Sequence, residues 1–153
     1  MRRTLALLCA LMLCLAGLPA PAAEAIPVEG ERNMQMLIGQ TPVTVAWEDN
    51  ESVEALKALV EASLQASEGL AIEMSMYGGF EQVGAVGQSL PRDDAQTTTV
   101  SGDIVLYSGD QLVVFYGSNS WAYTRLGHIT DQTPEQMKEL LGNGDATITL
   151  SME

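Results

Sequence analysis

Residues 103–129, DIVLYSGDQLVVFYGSNSWAYTRLGHI, constrain the fold more than any other part of the chain. Three strand-like runs lie in this stretch, at 104–107, 112–116 and 123–129. Gly109-Asp110 reads as the hairpin turn between the first two, and the Gly117 to Ser120 segment as the loop to the third. The first two runs are almost wholly apolar instead of alternating, so a strand built from either must be covered on both faces. A single sheet with one wet face cannot satisfy them. The stretch is therefore the centre of a closed or sandwiched β structure, and the flanking segments must supply the cover.

Those flanks read as short strands and two helices. Residues 34–38 form a strand that turns at Gly39-Gln40, and 41–47 place Val43, Val45 and Trp47 on one face of a half-buried antiparallel partner. Asn50 is a good N-cap, with Glu51 and Glu54 at the positive end of the helix dipole. Val53, Leu56, Val60 and Leu64 then recur at helical spacing, and Ser67-Glu68-Gly69 reads as the stop. Residues 70–76 alternate as a strand. Tyr77-Gly78-Gly79-Phe80 reads as a tight turn or bulge presenting two rings. Residues 81–88, with two further glycines, read as an irregular strand along a barrel edge, and 96–100 as an edge strand. Thr133-Pro134-Glu135-Gln136 carries a capping box with proline at the first helical position, and 146–152 close the chain as a strand. About eight short strands with an early and a late helix predict a mainly β domain: a small barrel or sandwich with a helix over each open end.

The N-terminus has a different character. Arg2-Arg3, the charge-free apolar run 5–18 and the small, proline-containing segment 19–25 make the three-part pattern of a cleavable secretory signal peptide. Cleavage sites are offered at Ala22, Ala23 and Ala25, and an uncleaved anchor is the competing reading. The expected division is a signal peptide over 1–25, a polar spacer over 26–33 and one domain over 34–153, exported to the periplasm or secreted, with no stable membrane insertion after cleavage. Both cysteines, Cys9 and Cys14, lie in the apolar run, so the mature domain holds no disulfide, zinc-thiolate site or cysteine nucleophile. The net charge of −13 becomes one unit more negative when Arg2, Arg3 and Glu24 are removed. An acidic surface repels phosphate backbones, which argues against nucleic acid as a partner and against anionic membrane surfaces. No cofactor or metal is expected, and a monomer is.

No catalytic constellation stands out. His128 is the chain's single histidine, and on a strand between Gly127 and Ile129 it reads as structural or exposed. Ser118, Ser120, His128 and Asp131 contain the ingredients of a hydrolase triad, but no nucleophile-elbow motif accompanies them. Asp93-Asp94 with Asp103 lack the spacing of a calcium loop. The more informative set is Tyr77, Phe80, Tyr116, Trp121, Tyr123 and Arg125. Aromatics at turns and strand ends often line a ligand groove. The plainer reading, core filling, suits Tyr116 and Tyr123, whereas Phe80 and Trp121 sit in glycine- or serine-rich loops.

The order of elements, together with Gly102–Tyr107 (GDIVLY), Leu112–Gly117 (LVVFYG) and Tyr123–Ile129 (YTRLGHI), resembles the small bacterial cyclophilin-like domains over roughly residues 34–152. The resemblance implies a closed cyclophilin-like β-barrel of about eight strands with two covering α-helices. It also implies a groove for an extended peptide or a small molecule past Phe80, Gln111, Trp121, Tyr123 and Arg125. True cyclophilins isomerise the bond before proline, using an arginine from the strand before a Gly-Phe turn. If that turn is Gly79-Phe80, the arginine position falls near Ser75, and no arginine or lysine lies between Lys57 and Arg92. The groove histidine falls near Tyr123, a groove glutamine matches Gln111, and the aromatic two residues beyond it becomes Val113. Trp121 lies in a shortened loop. Lowering a peptide-bond barrier of ~20 kcal/mol needs donors aimed at the twisted amide. The chain is therefore expected to be a binding module without classical isomerase activity, the alternative being an isomerase with a remodelled groove in which Arg125 takes over.

Overall fold

The computed structural model describes residues 32–153. The expected signal segment and all of the spacer before Arg32 lie outside the described residues. The chain runs β1 (Met34–Ile38), β2 (Thr41–Val43), β3 (Val45–Trp47), α1 (Glu51–Ser63), β4 (Leu70–Tyr77), β5 (Glu81–Ala85), β6 (Ala95–Thr98), β7 (Asp103–Tyr107), β8 (Gln111–Phe115), β9 (Ser120–Ile129), α2 (Pro134–Leu141) and β10 (Ala146–Met152). Nine strands follow the order β2-β1-β10-β4-β5-β8-β7-β9-β3, and β6 pairs with the start of β9. The two ends of this order are halves of one extended run broken at Thr44. Its first half pairs antiparallel with β1 and its second half with β9. One segment thus bridges both edges, and the sheet is a nearly closed antiparallel barrel.

The two apolar strands of the central stretch are covered on both faces, as their composition demands. Ile104 and Leu106 of β7 and Leu112 and Val114 of β8 point into the main core. There they meet strand residues such as Met36, Ile72 and Ile148, and both helices. From α1 come Val53, Leu56 and Val60, and from α2 Met137 and Leu141, all fully buried. On the outer face Val105, Val113 and Phe115 form a second, smaller cluster with Tyr123, against which Phe80 and Val83 pack. Period-two alternation has split two uniformly apolar runs between an interior and an exterior core.

Helix starts follow their caps. The Asn50 side chain accepts from the Val53 amide, and Asn50 Nδ2 donates to the Arg125 carbonyl, fixing α1 to β9. Thr133 and Gln136 form the full capping box of α2, with Pro134 in its first turn. Gln82, fully buried, donates from Nε2 to the carbonyls of Leu141 and Gly144, so β5 satisfies the end of α2.

Three sequence expectations need correction. Helix α1 ends at Ser63 with Leu64 as its cap, before the Ser67-Gly69 signal. Residues 65–68 offer no large apolar side chain to continue the buried stripe, and they turn away instead. Residues 81–85 are not a barrel edge: β5 is a regular strand paired on both sides, with β4 and β8. Gly84 is required there by close packing, because a Cβ would stand 2.5 Å from the Glu73 carbonyl oxygen and 2.5 Å from Met74 Sδ. The β7–β8 turn centres on Ser108 and Gly109, both with positive φ, one residue earlier than expected. A mirror-image turn of this kind suits the twist of the strands it joins.

Candidate functional site

A second hairpin turn builds the site. Between β4 and β5, Gly78 (φ 61°) and Gly79 (φ 74°) occupy the left-handed region, which side-chain-bearing residues rarely adopt. The turn leaves Tyr77 at its mouth, 66 % exposed. It folds Phe80 back instead: a Cβ on Gly78 would collide with the Phe80 ring, and the Phe80 carbonyl accepts from the amides of Tyr116 and Gly117. Phe80 therefore braces the outer cluster, and only one of the two rings flanking the glycines is presented.

Beside this turn, on the outer face of the barrel, lies a cleft of about 440 Å³. Val83 of β5 and Val113 of β8 line it, with Tyr77, Tyr107, Trp121 and Tyr123 as its rings and Glu81 and Asn119 as its polar groups. The rings are fixed to one another. Tyr123 meets Phe115 edge-on at 5.7 Å and Tyr107 edge-on at 6.1 Å between ring centres. Tyr123 Oη accepts from Asn119 Nδ2 at 2.9 Å, leaving its own proton free to donate. Asn119 is held in turn by the Ser120 amide, which donates to its Oδ1.

Glu81 is the site's unusual group. Its side chain leaves β5 on the cleft side, directly opposite Phe115, and the residue is only 6 % exposed. Oε2 is buried without a hydrogen-bond partner. Removal from water without compensation disfavours the charged form, and burial pushes this carboxyl up from 4.5 to about 7. The unfolded chain loses this proton near pH 4.5 and the folded chain near 7, so Glu81 favours folding at low pH, and that contribution is lost as pH rises across this window. The full shift corresponds to ~3 kcal/mol, which water in the open cleft reduces to ~1–2 kcal/mol. Glu81→Gln, which cannot ionise, is expected to be ~1–2 kcal/mol more stable than the parent at pH 8 and nearly equal to it at pH 4. Urea denaturation at both pH values checks this; an equal difference at the two would place the effect elsewhere.

A second polar cluster stands next to the cleft on the same outer face. Asp103 is 3 % exposed. Its Oδ1 lies 2.8 Å from His128 Nδ1 and accepts from Arg125 Nη2 at 3.2 Å, while Oδ2 accepts from the Val100 amide at 2.9 Å. Arg125 also reaches Glu48 at 3.4 Å. On a regular strand, residues 125 and 128 would point to opposite faces. The β7–β9 register shifts between Ile104 and Val105, so that Asp103 faces His128 while Val105 faces Arg125. The extra residue on β9 brings both bases to one carboxylate.

The sequence-predicted groove residues are thus partly gathered. Trp121 and Tyr123 line the cleft. Phe80 braces it from the outer cluster. Gln111 starts β8 on the same strand face as Val113, but it is not among the lining residues. Arg125 is turned to Asp103 and Glu48 and lines a neighbouring hollow with Arg92, Asn50 and Thr124. Ser75 sits on β4 opposite the cleft residue Val83. Tyr116 belongs to the main core, whereas Tyr123 is both packed and cleft-lining. The serines considered with His128 are engaged elsewhere: Ser118 Oγ donates to the Thr99 carbonyl, and Ser120 Oγ pairs with Thr98 Oγ1. Asp94 accepts from Thr124 and pairs with Arg92, in a network separate from that of Asp103. Among the described residues no cluster of three or more His, Cys, Asp or Glu side chains is placed to hold a metal ion.

Sequence reading missed Glu81, Tyr107 and Asn119. The available signal was Glu81 itself, an ionisable residue directly after a Gly-Gly-aromatic turn and at the head of a strand otherwise free of charge. No curated protein and no solved structure matches the chain. The model of the cyclophilin-like family matches residues 36–153, from within β1 through β10. The protein belongs to the cyclophilin-like family.

Proposed function

We propose that this protein is an exported ligand-binding module that takes a peptide or small molecule in the outer-face cleft and does not catalyse prolyl isomerisation. The observation that carries the reading is the lining of the cleft: four aromatic rings and one buried carboxylate, with no arginine, lysine or histidine. Catalysed amide rotation needs strong donors held against the twisted bond. The strand before the Gly79-Phe80 turn carries Ser75 where such a cation would stand, and Arg125 is committed to two carboxylates. Export rests on the tripartite N-terminal pattern, and the acidic surface argues against nucleic acid as a partner.

One observation favours an isomerase with a remodelled groove. The free Tyr123 hydroxyl proton and a protonated Glu81 are two neutral donors at the cleft. A protease-coupled prolyl isomerisation assay on residues 26–153 separates the readings. The binding-module reading predicts a rate equal to buffer for the parent and for Arg125→Ala alike. Acceleration that collapses in Tyr123→Phe, Glu81→Gln or Arg125→Ala would establish the isomerase instead.

A further inference from the structure

We propose that the cleft binds an organic ammonium ion, a quaternary or alkylated amine, with Glu81 as counter-ion and Tyr77, Tyr107, Trp121 and Tyr123 as the surrounding aromatic wall. This rests on the binding-module reading and names the chemical class of its ligand.

Three independent features point to a cation. The first is Glu81 Oε2: of the four buried side-chain atoms without a partner among the described residues, it is the one that belongs to the cleft lining, and the one carboxylate oxygen. Such an atom costs stability unless something bonds to it. The second is exposure. Among the described residues, Tyr77, Tyr107 and Trp121 are 66, 40 and 58 % exposed, and all three surround this one cleft. Large rings left in water around a concave site are surface awaiting a partner. The third is complementarity. Aromatic faces carry negative quadrupole charge and attract weakly hydrated alkylammonium ions, which a carboxylate in a low-dielectric wall holds further. The lining has no base to compete for Glu81, and the acidic chain concentrates cations near the surface. An anionic or phosphorylated ligand would find no cationic side chain in the lining to pair with.

The groups facing Glu81 set the pH behaviour. They are Tyr77 from β4, Tyr107 from β7 and Tyr123 from β9, none of them a base, with burial and then the nearby Glu81 pushing the Tyr123 hydroxyl up. The nearest base on β9, Arg125, is paired with Asp103 and Glu48. Affinity is therefore expected to rise with pH through about 7 as Glu81 ionises.

Choline and its uncharged carbon isostere dimethylbutanol are the probes, titrated by calorimetry into residues 26–153 at pH 8. Choline is expected to saturate the protein and the isostere to bind about tenfold more weakly or less. Glu81→Gln, a near-isosteric change, and Trp121→Ala, at an exposed ring, are each expected to lose about tenfold in choline affinity while melting at or above the parent temperature, or close to it, respectively. Equal binding of choline and isostere would overturn the cation assignment and leave the binding module standing. Binding of neither, or choline binding unchanged in both variants, would also overturn it. Failure of the binding-module reading itself would appear separately, as catalysed isomerisation in the protease-coupled assay.

Discussion

Phe115→Ala is expected to cost ~3–4 kcal/mol of stability, the largest single effect proposed for this chain. Phe115 is fully buried at the end of β8, and its ring is the edge partner of Tyr123 at 5.7 Å. It lies in the outer cluster, which holds only four buried residues and two partly buried ones. A small cluster has few neighbours able to collapse into the space left by a ring, so the cavity persists and its cost adds to the lost transfer energy. The melting temperature should fall by roughly 10 °C or more, and any cleft ligand should be lost with it because Tyr123 loses its support. Phe115→Leu keeps most of the volume and is expected to cost under ~1.5 kcal/mol. Denaturant unfolding with an unchanged slope checks both. A cost below ~1 kcal/mol for the alanine variant would show that the outer cluster is not a core.

Asp103→Ala is expected to cost ~2–3 kcal/mol, for a different reason. This buried carboxylate closes the turn before β7 by accepting from the Val100 amide, and it holds Arg125 and His128 on the bulged part of β9. Removing it leaves that amide without its side-chain acceptor and two bases without their common partner. Arg125 and His128 are each 40 % exposed, so water recovers much of what they lose, which keeps the cost below that of a wholly buried pair. Asp103→Asn retains an acceptor and is expected to cost about half as much. Arg125→Ala should cost less than either, under ~1 kcal/mol. The ordering Asp103→Ala, Asp103→Asn, Arg125→Ala is the test: a larger loss in Arg125→Ala than in Asp103→Ala would contradict the assignment of Asp103 as the anchor.

The barrel was largely legible in the sequence because its signals are local and strong. Two uniformly apolar runs demanded cover on both faces, and Asn50 and Thr133 marked their helix starts. The site was less legible because it depends on long-range placement. Arg125 was expected in the groove from the family resemblance, yet it reaches along β7 from opposite Val105 to Asp103, and a one-residue shift between Ile104 and Val105 brings His128 to the same carboxylate. No one-dimensional pattern marks that bulge. Phe80 and Tyr77 flank the same two glycines, but the turn geometry presents only Tyr77. Glu81 passed unnoticed because a lone carboxylate at a strand start normally faces water. Its burial follows only when β5 is placed between β4 and β8, with Phe115 across from it.

The cleft organised around a buried, unpartnered Glu81 is the central claim, and a carbon-13 titration of the Glu81 side-chain carboxyl tests it most directly. The spectrum is followed against pH in the free protein and again with saturating choline, with Glu81→Gln supplying the assignment. A midpoint near 7 is expected in the free protein, falling when choline is bound, since a cation beside the carboxyl favours its charged form. A midpoint near the ordinary 4.5, unmoved by choline, would contradict both the burial of Glu81 and its place at the centre of the site.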